Sequence, residues 1–344
     1  MVEPRILVTH VIPQPAIDLL SEVGHVEVYS GPHRTFSKIE LIEALKRNDC
    51  LYCSLMNAID SEVLNANPCL RIVANMAVGY DNIDVPAATA RRIPVTNTPG
   101  VLTQTTADLT WALLLAVARR IVEADGYTRA GKFKGPTLNL MLGTDVFGKT
   151  LGIVGLGRIG RAVARRARGF EMKVLYHNRR RLDRVREVEL GVEYVGLDTL
   201  LRSSDYVSLH TPLSPETHHL IGERQLALMK ASAFLINTSR GQVVDEKALV
   251  RALLEKRLAG AGLDVYEREP EIEPELMSLP NVVLLPHIGS ASVETRTKMA
   301  ITAAENVLAA IRGERPPNLV NPEVYGVRRV ADSPLPRIEK GLFH

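Results

Sequence analysis

The chain has 344 residues, 46% hydrophobic, 24% charged and 5% aromatic. At roughly 150 residues per domain that is enough for two cores, and the composition excludes a disordered or coiled chain. The 42 Lys and Arg against 39 Asp and Glu leave a net charge of +3, an excess too small and too dispersed to indicate nucleic-acid binding.

The amino terminus, MVEPRILVTH, lacks a basic region followed by a long apolar stretch, so it reads as the start of a strand rather than a secretory signal. Short β-branched runs then alternate with amphipathic segments, with strands near Arg5–Thr9, Val26–Tyr29, Cys50–Ser54, Arg71–Ala74 and Pro94–Thr96. That alternation implies parallel βαβ units. Three cysteines, Cys50, Cys53 and Cys69, cannot form a disulfide framework in so long a chain, which points to a reducing compartment. Cys50 and Cys53 make a CxxC, but a spacing of three on a strand sends them to opposite faces and no second ligand pair exists. They read as buried core, and no metal site is expected. Thr103 to Arg120 reads as a largely buried helix. Its most apolar run, Leu109 to Ala118, ends at Arg119 and Arg120, short of the roughly 20 residues of a membrane span. No membrane association is expected, and the cytoplasm is the expected location. The polar, glycine-containing stretch from Gly126 to Gly148 suits a domain crossing or an oligomer arm.

A second series of strands runs through Thr150–Val154, Lys173–Tyr176, Tyr206–His210, Ala233–Asn237, Gly262–Val265 and Val282–Leu285. The fold class is therefore α/β, with two doubly wound parallel sheets. A final helix spans about Val293 to Ile311. The proline-rich Arg315–Asn318 follows, then an aperiodic tail to His344 that is expected to be peripheral.

The stretch Leu151-Gly-Ile-Val-Gly155-Leu-Gly157-Arg-Ile-Gly160 is a strand that ends in GxGxxG and opens a helix. Gly155 permits the tight turn, Gly157 lets backbone amides approach a pyrophosphate, and Gly160 allows close helix packing. The next strand ends in His177-Asn178-Arg179-Arg180-Arg181, without the Asp or Glu that would hold the ribose hydroxyls of NAD. Guanidinium groups there pair with a 2′-phosphate. The reading is NADP(H) as preferred coenzyme, with NAD(H) left open.

Three charged residues lie where strands of the second series run out: Arg240 after Ala233–Asn237, Glu269 after Gly262–Tyr266, and His287 after Val282–Pro286. In an open parallel sheet the carboxyl ends of strands form the ligand crevice, so the three are expected to converge.

These motifs, LGIVGLGRIG, INTSRGQVVDE, GAGLDVYEREP and LLPHIGSAS, resemble the D-isomer-specific 2-hydroxyacid dehydrogenases from about residue 5 to residue 323. Through Ala77-Val-Gly-Tyr-Asp-Asn-Ile-Asp84, Thr96-Asn-Thr-Pro-Gly-Val-Leu102 and the basic turn, the chain is most similar to the glyoxylate/hydroxypyruvate reductases within that family. The resemblance implies a flavodoxin-like substrate domain, residues 1–99 with 290–344, and a Rossmann coenzyme domain, residues 100–289, with a cleft between them. It implies reduction of small 2-oxo acids, glyoxylate to glycolate and hydroxypyruvate to D-glycerate, with His287 as general acid. Glu269 would hydrogen-bond the His287 imidazole and stabilise its protonated form, while Arg240 would clamp the substrate carboxylate and polarise the 2-oxo group. The backbone amides of Val78 and Gly79 would take the other end of that carboxylate. Asp264 would orient the nicotinamide amide, and Thr106, Thr211, Pro212, Thr238 and Gly289 would line the cofactor. Arg158 and Ile159 join the glycines at the pyrophosphate. A homodimer built through coenzyme domains and the 121–147 arm is also implied.

Two departures from the family bear on substrate. Reductases of this type often carry a tryptophan in the arm, where this chain has Gly135-Pro-Thr-Leu-Asn-Leu-Met-Leu-Gly143 and its one tryptophan is Trp111. Related phosphite dehydrogenases place a lysine where Val78 stands. The alternatives are a 3-phosphoglycerate, D-lactate-type or phosphite dehydrogenase, or a dinucleotide-sensing protein resembling the C-terminal-binding corepressors. His218 and His219 read as a solvent-facing loop or helix start, and the acidic run Glu267 to Glu275, Glu269 excepted, as an exposed loop without a role.

Overall fold

A computed structural model describes residues 3–29 and 36–325. The chain divides into two compact units. One is Pro99–Lys298, and the other combines the chain up to Thr98 with the chain from Met299 onward. The second division falls inside the helix Val293–Ile311, later than the Ser290 read from sequence. The tail from residue 326 lies outside the described residues.

The flanking unit carries a parallel sheet of β1 (Arg5–Val8), β2 (His25–Val28), β3 (Cys50–Cys53), β4 (Ile72–Asn75) and β5 (Val95–Thr96), ordered β2-β1-β3-β4-β5. That is the flavodoxin-like order. β3 and β4 read CLYC and IVAN and are buried along their whole length, as central parallel strands covered on both faces must be. Cys50 and Cys53 are both fully buried there, and burial pushes their thiols up to about 12. They stay protonated and act as small apolar side chains. Tyr52, also buried, donates its hydroxyl to the Ala300 carbonyl at 3.1 Å. Asn321 accepts from Val95 N at 2.8 Å and donates to the Ile93 carbonyl at 3.0 Å. Such bonds join the late segment to a sheet made at the beginning of the chain, so this unit closes only when both ends are present.

The unit Pro99–Lys298 holds a second parallel sheet: β6 (Thr150–Val154), β7 (Lys173–His177), β8 (Val192–Tyr194), β9 (Tyr206–Leu209), β10 (Phe234–Asn237), β11 (Gly260–Leu263) and β12 (Val282–Leu284). The order is β12-β11-β10-β9-β6-β7-β8. Strand order reverses at β6, between β7 and β9, and ligands of doubly wound sheets bind outside the carboxyl ends of strands at such a switch point. The helix Thr103–Ala118 is apolar on most of its surface and packs in the core. Trp111 lies on it, stacked on Phe170 with ring centroids 4.6 Å apart, and its indole N–H donates to the Val163 carbonyl at 3.1 Å. The single tryptophan is thus a core residue that ties this helix to the helix Arg158–Ala167.

The polar stretch read from Gly126 as a domain crossing or oligomer arm is helical as far as Arg129, within the helix Ile121–Arg129. Glycine costs a helix about 1 kcal/mol, a loss partly offset by the pairs Arg120–Glu123 and Arg129–Asp125, each 2.8 Å, at i,i+3 and i,i+4. Arg120 sits at φ 55° and turns the chain between the two helices. From 130 to 149 there is neither helix nor strand, and Leu138, Leu142 and Phe147 are exposed there, Leu138 at 96%. Among the described residues, no helix is long and apolar enough to cross a membrane, and no group of three or more His, Cys, Asp or Glu is placed to hold a metal ion.

Candidate active site

β6 ends at Val154, and the helix Arg158–Ala167 begins after Gly157 with no side-chain cap. Gly155 has φ 97°, and a Cβ there would lie 2.7 Å from the His210 carbonyl; a Cβ on Gly160 would lie 2.3 Å from the Gly155 oxygen. Glycine is required at both places. At Gly157 a Cβ would meet nothing within 4 Å, so the turn is open above the uncapped first amides of the helix, at Arg158, Ile159 and Gly160. A helix end in that state binds anions. Beside it the Thr211 hydroxyl is buried and makes no hydrogen bond among the described residues, leaving a cost of about 1–3 kcal/mol that a ligand would remove. Pro212 follows, its carbonyl accepting from Thr217 Oγ1 at 2.7 Å. This glycine cradle, open turn and orphaned hydroxyl fit a dinucleotide.

The residues after β7 divide by role. Asn178 Oδ1 accepts from Leu156 N at 2.6 Å, so it holds the glycine turn. Arg181 donates through Nε and Nη2 to Glu187, both at 2.8 Å, and its guanidinium lies 5.5 Å from the Tyr194 ring centroid. The Arg181 hydrogen bond, with one from the Tyr176 hydroxyl, holds the Glu187 carboxyl down to about 2. Of the three arginines in the basic turn, Arg181 is therefore committed to its own chain, while Arg179 and Arg180 are exposed. The signal for this is the acidic residue one helical turn into the segment that follows.

Asn237, at the end of β10, is buried and shapes the turn that presents Arg240. Its Nδ2 donates to the Arg240 carbonyl at 2.9 Å, and its Oδ1 accepts from Ser239 N and Oγ at 3.0 and 2.8 Å. Arg240 Nη1 donates to the Ser239 carbonyl at 2.8 Å. Next to it, the Thr238 and Thr110 hydroxyls are 2.9 Å apart, and Thr110 donates to the Thr106 carbonyl at 2.8 Å.

His287 follows β12 with φ 55°, a left-handed conformation costing a residue with a Cβ about 1–2 kcal/mol. Asp264, just past β11, maintains it. The Asp264 carbonyl accepts from His287 N at 2.9 Å, Oδ1 from Ile288 N at 2.7 Å and Oδ2 from Gly289 N at 2.7 Å. Burial pushes the Asp264 carboxyl up, and these amides with the nearby His287 offset that only in part. A Cβ on Gly289 would lie 3.1 Å from Asp264 Oδ2 and 3.5 Å from Thr106 Cγ2. Thr106, Asp264 and Gly289 therefore meet at one point.

Glu269 completes the arrangement. Its Oε1 accepts from Tyr266 N at 3.0 Å, and its Oε2 lies 2.8 Å from His287 Nδ1. Burial raises the Glu269 carboxyl, but the His287 hydrogen bond and charge, the Tyr266 amide and the Arg240 charge more than offset this and hold it below its ordinary value. His287 Nε2 makes no hydrogen bond among the described residues. The three residues read from separate strand ends thus form one electrostatic cluster, with an imidazole nitrogen available for proton transfer and a guanidinium suited to an anion.

Val78 and Gly79 belong to the flanking unit. The loop that holds them is drawn back through its carbonyls: Asn97 Nδ2 donates to Val78 O and Asn75 Nδ2 to Gly79 O, both at 2.8 Å. His219, read as solvent-facing, places Nε2 2.9 Å from Glu267 Oε1. The acidic run is therefore anchored at its first residue rather than loose, because Glu267 has backbone and imidazole donors within reach.

Residues 111–289 match the family model described as D-isomer specific 2-hydroxyacid dehydrogenase, NAD binding domain. The chain is 56% identical over 329 residues to the glyoxylate reductase of Korarchaeum cryptofilum (strain OPF8), covering 95% of this chain and 98% of that one. A protein of Thermus thermophilus of solved structure is 48% identical with a TM-score of 0.87, covering 92% of this chain and 99% of that one. The NADPH-dependent glyoxylate/hydroxypyruvate reductase of Sinorhizobium meliloti, solved in complex with NADP and malonate, is 34% identical with a TM-score of 0.84, covering 96% and 100%.

Proposed function

The chain belongs to the D-isomer specific 2-hydroxyacid dehydrogenase family, and on that premise we propose that it reduces small 2-oxo acids, glyoxylate to glycolate and hydroxypyruvate to D-glycerate, with NADP(H) preferred and NAD(H) accepted. The observation that carries this reading is the 2.8 Å pairing of His287 Nδ1 with a Glu269 carboxylate that also feels the Arg240 charge. The reduced nicotinamide, when bound, supplies a hydride. His287 Nε2 delivers the proton to the oxygen of the 2-oxo group, and Glu269 stabilises the imidazolium that this requires. Arg240 grips the substrate carboxylate and polarises the adjacent carbonyl. The amides of Val78 and Gly79 are assigned to the same carboxylate, their loop kept in shape by Asn75 and Asn97.

Pro99–Lys298 serves as the coenzyme unit in this reading and the flanking unit as the substrate unit. Gly155, Gly157, Arg158, Ile159 and Gly160 hold the pyrophosphate, Thr211 and Pro212 border it, and Thr106, Thr238, Asp264 and Gly289 face the nicotinamide. The exposed apolar side chains Ile121, Val122, Phe133, Leu138, Leu142 and Phe147 form a surface for a second copy of the chain, making the protein a homodimer.

Initial rates with glyoxylate, hydroxypyruvate, pyruvate, 3-phosphohydroxypyruvate and phosphite, each with both coenzymes, test the reading. The expected result is highest kcat/KM for glyoxylate and hydroxypyruvate; preference for the phosphorylated acid or for phosphite overturns it. The basic turn is tested separately. Replacing Arg179 and Arg180 by alanine is expected to weaken NADPH binding by about 1–3 kcal/mol, the value of charge-assisted hydrogen bonds, and to leave NADH binding nearly unchanged. Arg181→Ala is expected to leave the NADPH/NADH ratio unaltered, because its partner is Glu187. Titration of each variant with both coenzymes reads this directly, and equal losses for the two coenzymes contradict the 2′-phosphate assignment.

A further inference from the structure

Glu269 stands on the segment between β11 and the helix Pro274–Ser278, and one side chain from elsewhere grips that segment on both sides of it. Glu246, the first residue of the helix Glu246–Leu254 and 6% exposed, accepts from Glu267 N through Oε2 at 2.8 Å and from Glu273 N through Oε1 at 2.9 Å. The grip is mutual. Glu267 Oε2 accepts from Glu246 N at 3.0 Å, and Glu267 Oε1 pairs with His219 Nε2 at 2.9 Å. Gly241, which follows Arg240, abuts the same point: a Cβ there would fall 1.8 Å from the Tyr266 carbonyl carbon and 2.4 Å from Glu267 N. Arg240 and Glu269 are thus borne on stretches of backbone in direct contact.

Two amide donors on one nearly buried carboxylate form a strong, directional anchor, since hydrogen bonds to a charged acceptor are about twice as strong as neutral ones. A glutamine in its place offers one acceptor oxygen and turns an NH2 group toward the second amide, so one side of the segment is released. We infer that Glu246 is a positioning residue for proton transfer: it fixes residues 267–273 so that Glu269 Oε2 stays on His287 Nδ1. The inference rests on the proposed assignment of His287 and Glu269 as the proton-transfer pair. Of the charged groups acting on that pair, Arg240 acts on Glu269, and Asp264 acts on both members. A change at Glu246 removes none of these charges.

A well-placed Glu269 favours the imidazolium, and reduction needs that proton, so loosening Glu269 moves the loss of activity to lower pH. The test compares full-length wild type, Glu246→Gln and Glu269→Gln in kcat for glyoxylate reduction against pH, and in the NMR titration of the His287 imidazole, assigned with His287→Asn. For Glu246→Gln the alkaline limb and the imidazole midpoint are both expected about one pH unit lower, giving about a tenfold loss of kcat on the alkaline side, with KM for glyoxylate unchanged. Glu269→Gln is expected to move both further. Glu267→Gln, which keeps an acceptor for Glu246 N, is expected to give a smaller shift in the same direction, and it decides the matter if Glu246→Gln lowers the folded fraction. If Glu269→Gln shifts both readouts while Glu246→Gln and Glu267→Gln shift neither, the inference is overturned. If Glu269→Gln itself shifts neither, the assignment of the proton-transfer pair fails instead.

Discussion

His287→Asn is expected to lower kcat for glyoxylate reduction by about 10²–10⁴-fold, the contribution of a general acid, and to leave NADPH affinity unchanged. Asparagine fits the left-handed backbone at this position better than most residues, so the turn held by Asp264 through His287 N, Ile288 N and Gly289 N survives the replacement. What disappears is the imidazole, the partner of Glu269 and the proposed bearer of the proton. Steady-state kinetics with coenzyme titration separates the two effects, and a variant with near-normal turnover removes His287 from the reaction.

Arg240→Lys is expected to lower kcat/KM for glyoxylate by about 10²–10³-fold, as loss of a transition-state hydrogen-bond donor does, with both kcat and KM affected. Charge is retained, so a purely electrostatic role would tolerate the change. The planar fork is not retained, and a carboxylate gripped by two parallel N–H groups while its carbonyl is polarised depends on it. Asn237 holds the Arg240 turn through the backbone carbonyl, a bond that lysine leaves in place, whereas the guanidinium's own bond to the Ser239 carbonyl is lost with the fork. Unaltered kinetics would place the substrate carboxylate elsewhere.

What the sequence makes legible follows from periodicity and strand ends. Both parallel sheets, the glycine turn after β6 and the positions of Arg240, Glu269 and His287 past β10, β11 and β12 are visible because chemistry in doubly wound sheets collects where strands stop. Side-chain commitments are not visible in that way. Arg181 looks equivalent to Arg179 and Arg180 until Glu187 is found against it. Asp264 reads as a cofactor residue, and its hold on the His287 turn through both oxygens is not visible in that reading. The acidic run looks solvated because local composition carries no record of Glu246, distant in sequence, whose carboxylate accepts its amides. The polar, glycine-containing stretch from Gly126 gives no sign of the helix that two ion pairs support there.

Acid conditions act on the same cluster with a definite sign. The Glu269 carboxyl is held below its ordinary value once the chain folds, so the stability it contributes is complete above the unfolded value, about 4.3 for glutamate, and disappears as pH falls through the lower folded value. The Glu269 carboxyl therefore stays ionised beside His287 through the neutral range.

The most direct test of the central claim is single-turnover hydride transfer to glyoxylate, followed through NADPH oxidation as a function of pH in wild type and His287→Asn. The rate is expected to fall on the alkaline side through one ionisation in the wild type and to be slow, without that ionisation, in the variant. The same alkaline fall in both proteins would show that the proton comes from another group and would contradict the account.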